Sequence, residues 1–142
     1  VVNKFKYRPI IMKKILVPLF SLIVSFDAYG EWKPVFEVSR NGNLITIYVD
    51  FDNIKTNGNV YHWELLDKLK PDRFGDLSAK ILYESDCNVP QKRRMLSQLY
   101  YTQPMGEGST SATNNTSAEW QYPMPETSGA TVTDAICAYA NQ

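Results

Sequence analysis

The chain has few of the residues on which catalytic and metal sites are built. Its 142 residues include one histidine, His62, and two cysteines, Cys87 and Cys137. Neither cysteine belongs to a C-x-x-C pair or a Cys/His cluster, so the usual zinc spacings are excluded. No G-x-S-x-G or comparable motif supplies a nucleophile with a general base. We therefore predict a protein that is not an enzyme and has no cofactor or metal, with His62 as a structural or surface residue.

The chain also lacks an apolar run of the roughly 20 residues that a membrane-spanning helix needs. Its apolar run at 15–26 follows Met12-Lys13-Lys14 and precedes Ala28-Tyr29-Gly30. A basic start, a short apolar stretch and small residues at positions −3 and −1 are typical of a secretory signal peptide. A buried strand or an N-terminal membrane anchor is the alternative interpretation. The signal-peptide interpretation predicts cleavage before Glu31 and no membrane span afterwards.

The predicted leader changes the charge of the remaining domain. We assign an upstream extension to residues 1–11, a signal peptide to 12–30 and one exported domain to 31–142. The whole chain has 15 basic and 15 acidic residues, but the leader holds five of the basic ones and one of the acidic ones. The domain keeps ten basic and fourteen acidic residues, a formal charge of −4. This predicts no nucleic-acid partner, because such binding depends on neutralising phosphates with Lys and Arg.

Two cysteines in an exported chain most simply form a disulfide, with free thiols or metal ligands as the alternative. Cys87 ends the first half of a predicted hairpin at 80–101, which turns at 88–91. Side chains alternate along both halves with the period of two that characterises strands. In the second half this places Met95, Ser97, Leu99 and Tyr101 on one face.

The other segments predict an antiparallel sheet with one helix. Strands are predicted at 32–39, 45–50 and 60–70, and a short edge strand at 120–123. Asp50 is predicted to cap a helical turn at 51–56. The Ser-, Thr- and Asn-rich stretch at 105–117 is typical of an exposed, mobile loop. A helix should begin at 127–129, with its apolar face formed by Val132, Ala135, Ile136 and Tyr139. The predicted class is α+β, with five to six strands, a C-terminal helix and one disulfide.

Lys92, Arg93 and Arg94 are the candidate ligand-binding residues, because no Lys or Arg follows them. They could bind an acidic protein, a heparin-like glycan or lipid headgroups. Alternatively, they are a solvated start of a strand whose charges prevent edge-to-edge aggregation. Four aromatic residues could add a binding surface or belong to the core: Tyr100, Tyr101, Trp120 and Tyr122.

The order and spacing of several segments resemble the surface-adhesin protein E-like domain of Gram-negative bacteria. The matching residues are Trp32, Tyr48-Val49-Asp50, Ile54, Asn57-Gly58, Trp63, Ser78-Ala79-Lys80, Tyr83-Glu84, Asp86-Cys87, Gly106-Glu107-Gly108, Trp120 and Cys137. The resemblance covers residues 31–140. It implies an antiparallel sheet carrying a helix, a Cys87–Cys137 disulfide and a capacity to form homodimers.

The resemblance also implies a function. Some family members act as surface adhesins for host matrix or serum proteins, which predicts a non-enzymatic binding module with a protein partner. Its expected location is the periplasm, the cell surface or the medium of a Gram-negative bacterium. A soluble periplasmic protein that partners another envelope component is the alternative, and a small hydrolase is disfavoured by the missing catalytic motif.

Overall fold

The computed structural model describes residues 30–142, so the predicted leader at 1–30 lies outside the described residues except for Gly30. Seven strands and one α-helix form within this range. The strands are β1 (Trp32–Arg40), β2 (Asn43–Asp50), β3 (Lys55–Asn57), β4 (Asn59–Lys68), β5 (Ser78–Asp86), β6 (Lys92–Tyr101) and β7 (Thr110–Asn114), and the helix is α1 (Ser128–Ala140). In the part of the chain that is described, no helix is long and apolar enough to cross a membrane.

The strands form one antiparallel sheet in the order β1-β2-β4-β5-β6-β7. The three-residue β3 pairs with the start of β4, on the same side as β2. The predicted α+β class is confirmed, and β3 and β7 bring the sheet to seven strands. Neighbours along the sheet are mostly neighbours in sequence, because hairpins connect antiparallel strands with short turns.

Side-chain alternation gives the sheet two different faces. The helix face carries α1, and its core consists of Ile47, Val49, Val60, Val132 and Ile136, all buried. The opposite side, here called the open face, carries no α-helix among the described residues, but a 3-10 turn at Pro104–Gly106 packs on one end of it through hydrogen bonds to Asp67 and Ser78. In β4 the residues from Val60 to Leu66 point alternately to the helix face and to the open face.

The helix begins where the sequence predicts. Thr127 is the N-cap, and its side-chain oxygen accepts a hydrogen bond from the Ala130 amide at 3.3 Å. Val132 and Ile136 are fully buried, whereas Tyr139 is exposed and touches Phe51 at a ring distance of 5.1 Å. Val132 and Ile136 therefore form the centre of the contact with the sheet.

The disulfide between Cys87 and Cys137 is confirmed, with a Cα–Cα distance of 5.5 Å. It joins the end of β5 to the helix across 50 residues of sequence. In the chain-entropy model, a loop of this length contributes about 4 kcal/mol to stability. The bond therefore adds a covalent link to the apolar contacts that hold α1 on the sheet.

The predicted helical turn at 51–56 is wrong in its length and in its cap. A 3-10 turn covers only Phe51–Asn53, and Asp50 makes no side-chain cap bond. Ile54 is already extended, because the following residues pair with β4 as strand β3. Asp50 Oδ2 instead accepts a hydrogen bond from Asn53 Nδ2 at 2.7 Å.

The predicted mobile loop at 105–117 is also wrong, because β7 lies within it. This strand pairs with residues 98–101 of β6, although all five of its residues are exposed. Its backbone hydrogen bonds to β6 order it without any large apolar side chain. The edge strand predicted at 120–123 is reduced to a single bridge between Gln121 and Arg93.

A bulge in β6 changes which face its residues occupy. Leu82 pairs with Ser97, but the next residue of β5, Tyr83, pairs with Met95. The extra residue places Met95 and Ser97 on opposite faces, so the predicted common face for Met95 through Tyr101 is wrong. Odd-numbered residues of β6 therefore face the helix side before the bulge and the open side after it.

Candidate binding sites on the two faces of the sheet

The three predicted ligand-binding residues do not form one cluster. Arg93 lies opposite Ser85, on the helix face, while Arg94 lies opposite Glu84, on the open face. Lys92 shares the open face with Arg94, because side chains two apart in a strand lie on the same side. The structure therefore brings Lys92 and Arg94 together and separates them from Arg93.

On the open face, Lys92 and Arg94 both contact Trp120. The Lys92 Nζ lies 5.1 Å and the Arg94 Cζ 4.7 Å from the centre of the Trp120 ring. Both distances are within the range of cation–π attraction. Each cation also has an acidic partner: Lys92 Nζ lies 3.7 Å from Asp86, and Arg94 Nε lies 2.7 Å from Glu84.

Glu84 is the centre of a hydrogen-bond network on the open face. Its Oε1 accepts bonds from Asn59 Nδ2 at 2.8 Å and from the Tyr61 hydroxyl at 3.0 Å, and Oε2 accepts from Arg94. Burial alone would raise the pKa of Glu84, but these three donors hold it below its ordinary value. The bond to Glu84 raises the pKa of Tyr61 in turn. Glu84 is thus kept ionised beneath a partly exposed arginine.

Tryptophans dominate the open face. Trp32, Trp63 and Trp120 are the three tryptophans of the chain, and all are half-buried there. Trp32, Asp50, Trp63, Lys80 and Leu99 line a shallow cavity of about 230 Å³. We call the set of Trp32, Trp63, Trp120, Lys80, Lys92 and Arg94 the tryptophan surface.

Lys80 is the cation of this surface that lies beside Trp32 and Trp63. Its Nζ lies 5.2 Å from the centre of the Tyr101 ring. Among the residues described, no carboxylate lies within 4.0 Å of this Nζ. A second cavity of about 740 Å³ runs from Lys80 and Trp32 to the loop at 105–108. Lys80 therefore lies between two hollows with its charge available to a ligand.

On the helix face, Arg93 belongs to a buried polar cluster. Arg93 Nη2 donates to Glu64 Oε1 at 2.7 Å, and Nη1 donates to the Gly129 carbonyl at 3.3 Å. The Arg93 Cζ lies 3.5 Å from the centre of the Tyr83 ring. His62 is fully buried, and its Nε2 lies 2.9 Å from the same Glu64 oxygen. Arg93 and Glu64 thus form an ion pair that is screened from bulk water.

This cluster forms the floor of a cavity of about 720 Å³ between the sheet and the start of α1. Glu64, Tyr83 and Arg93 line the floor, while Tyr122 and Met124 line the outer part and are 62% and 72% exposed. Burial, together with the charge of Glu64, raises the pKa of Tyr83 and keeps its hydroxyl protonated. We call this hollow the helix-face cavity.

Comparison with protein families agrees with the resemblance that the sequence shows. The family profile of surface-adhesin protein E matches residues 32–138, which include every strand and almost all of α1. The chain belongs to the surface-adhesin protein E family. Comparison of this family member with curated proteins and with solved structures returns no match.

Within residues 30–142, no group of three His, Cys, Asp or Glu side chains is placed to hold a metal ion. Ser85 is buried next to the cluster, but its hydroxyl has no hydrogen-bond partner among the described residues. His62 bonds to Glu64 and makes no bond to a nucleophile.

Glu64 and Tyr83 belong to the site, although neither was predicted from the sequence. One usable signal was present: His62 and Glu64 occupy positions in β4 that alternate with open-face residues and share a face with Val60 and Leu66. Polar residues at core-facing positions need partners, since an unpaired buried charge is costly. Their partner Arg93 lies 29 residues from Glu64, so the sequence alone did not identify it.

Proposed function

We propose that this family member is an exported, non-enzymatic adhesin that binds a host matrix or serum protein through its tryptophan surface. The observation that carries the proposal is the concentration of all three tryptophans on the open face, with Trp120 against both Lys92 and Arg94. Tryptophan and arginine are the residues most enriched at the energetic centres of protein interfaces. The family match supports the same function.

The charges on the tryptophan surface favour a protein partner over a polyanion. Lys92 and Arg94 already have the acidic neighbours Asp86 and Glu84, which leaves Lys80 as a cation without such a partner. A heparin-like chain gains most of its affinity from unneutralised cations. Aromatic side chains with a few placed charges are instead typical of protein interfaces.

The location of the tryptophans supports the proposal in a second way. An antiparallel sheet commonly packs one face on its core and exposes polar residues on the other. Here the exposed side carries large aromatic side chains, which a partner could cover. Such a concentration on a face without an α-helix supports an interaction site.

A binding assay with two variants tests this proposal. Two test surfaces are coated, one with solubilised basement-membrane matrix and one with serum. A third surface, coated with purified albumin, gives the background signal, and the protein is applied to all three. Trp63→Ala and Trp120→Ala should each weaken binding by about tenfold or more, as expected for residues at an interface centre. Phe74→Ala is the matched control, because Phe74 is 73% exposed and lies in the β4–β5 connection.

Equal binding by the wild type and both tryptophan variants would overturn the proposed surface. Absence of binding to both coatings would overturn the proposed class of partner. Protease treatment of intact cells distinguishes a surface adhesin, which is degraded, from a periplasmic protein that partners another envelope component.

Export is part of the proposal and has its own measurement. The disulfide supports it, because such bonds persist mainly in oxidising compartments. The intact mass of protein recovered from the producing bacterium should correspond to a chain that begins at Glu31. A recovered chain that still includes Met12 would contradict cleavage. Homodimer formation also stays a prediction, and sedimentation at several protein concentrations would measure it.

A further inference from the structure

We propose that the helix-face cavity binds a neutral saccharide unit. This site is separate from the tryptophan surface, since the two lie on opposite faces of the sheet. It does not depend on the protein-binding function proposed above. The inference is carried by a buried, fully oriented polar floor beneath an exposed aromatic residue.

The floor is fixed before any ligand arrives. Arg93 is held by Glu64, by the Gly129 carbonyl and by the ring of Tyr83. His62 and Arg93 both bond to Oε1 of Glu64, so Oε2 is the oxygen that remains for a ligand. The side chains of Glu64 and Arg93 are only 3% and 8% exposed. Binding to such a preorganised floor costs little ordering entropy.

The charge of the floor selects against charged ligands. Glu64 and Arg93 neutralise one another, so an anionic ligand would face Glu64 and a cationic ligand would face Arg93 at short range. A purely apolar ligand would remove water from Glu64 without replacing its hydrogen bonds, which is costly. A hydroxyl group both donates and accepts, so it can satisfy the carboxylate and the tyrosine hydroxyl in turn.

The walls fit the rest of a sugar. Tyr122 lines the outer part of the cavity, and Ile47, Leu66 and Met124 add apolar surface. Gln121 and Ser128 also line the cavity and can form hydrogen bonds. Apolar walls with a few placed polar groups are the usual composition of small-ligand sites. The volume of about 720 Å³ accommodates a monosaccharide with room for a linked unit.

A titration followed by nitrogen-15 NMR tests the proposal on the intact disulfide-bonded domain. The probes are the methyl glycosides of glucose, galactose, mannose and N-acetylglucosamine, added to about 100 mM to detect millimolar affinity. At least one should shift the amide signals of Gln121, Tyr122 and Gly129 in a saturable manner. The indole N–H signals of Trp32 and Trp63, whose side chains lie on the open face, should stay in place.

Variants test whether the residues of the helix-face cavity bind the sugar. Tyr122→Ala should weaken the responding sugar by about fivefold, and its exposed position means that folding does not depend on it. Glu64→Gln should weaken the same sugar, because the amide replaces one acceptor with a donor. Phe74→Ala is the control, because Phe74 is exposed and lies outside both sites, and it should bind the sugar like the wild type.

Three results would overturn the proposal: no saturable shift with any glycoside, unchanged affinity in Tyr122→Ala, or binding of N-acetylneuraminate or glycine in place of the neutral sugars. None of them bears on the tryptophan surface, which the protein-coated surfaces test separately. A protein that binds a sugar but binds neither matrix nor serum would still support the saccharide site.

Discussion

The two faces of the sheet each carry a glutamate–arginine pair, and the two pairs have the same length. Arg93 to Glu64 and Arg94 to Glu84 both measure 2.7 Å. The surroundings differ: Arg93 is 8% exposed beneath α1, whereas Arg94 is 34% exposed and stacks against Trp120. Equal distances therefore do not imply equal energies, because the cost of removing one partner depends on whether water can replace it.

Loss of one partner should be far more costly on the helix face. Arg93→Ala leaves Glu64 as a buried charge with only His62 as a partner, and this should lower the free energy of unfolding by about 3–5 kcal/mol. Arg94→Ala should cost at most about 1 kcal/mol, because Asn59 and Tyr61 still bond to Glu84. Urea unfolding of the two variants measures the difference.

A double variant sharpens this comparison. Glu64→Leu with Arg93→Met removes both charges, so it should be more stable than either single change. Equal losses for Arg93→Ala and Arg94→Ala would contradict the distinction between the two pairs.

Reduction of the disulfide should affect the helix face first. Opening the Cys87–Cys137 bond should lower stability by about 4 kcal/mol in the chain-entropy model. Helix α1 should loosen before the sheet, and amide exchange should rise around Thr133 and Ile136, while Glu84 and Arg94 stay protected. Amide exchange with and without reductant measures this, with Cys87→Ala/Cys137→Ala as the irreversible counterpart. Uniform loss of protection across both faces would show that the helix and the sheet unfold as one unit.

The Glu84–Arg94 pair on the open face should change how the free energy of unfolding depends on pH. The folded pKa of Glu84 is lower than its ordinary 4.5, so ionised Glu84 contributes stability that is fully present above the unfolded pKa. That contribution is lost as the pH falls through the folded pKa. Glu84→Gln should therefore reduce stability at pH 7 and flatten its decline below about pH 4.5. Urea midpoints between pH 7 and pH 2 measure the effect, and a parallel decline in both proteins would contradict it.

Much of the fold follows from the sequence because alternation and helical spacing are local signals. The hairpin at 80–101, the helix after Thr127 and the two cysteines all lie in such patterns. Strand β7 gave no signal, since a Thr-, Ser- and Asn-rich edge strand with both faces exposed has no apolar period.

The site was predictable only in part. Lys92, Arg93 and Arg94 were identified from their charge, but the face of each one depends on strand register. The Glu64–Arg93 bond joins β4 to β6, which are not adjacent in the sheet. Local patterns carry no information on such a pair, because it forms only after both strands have paired with β5.

The bulge in β6 has a consequence for how the two sites could change together. Odd-numbered residues face the open side after it, as at Leu99 and Tyr101, and the helix side before it, as at Arg93 and Met95. The bulge thus exchanges the faces that odd- and even-numbered residues occupy within one strand. If all residues of β6 paired regularly and the second half kept its register, Arg94 would lie opposite Ser85 on the helix face and Arg93 opposite Asp86 on the open face. The extra residue therefore assigns each arginine to its face of the sheet: a pairing without the bulge would exchange the two arginines, whereas deletion of Leu96 would leave both in place.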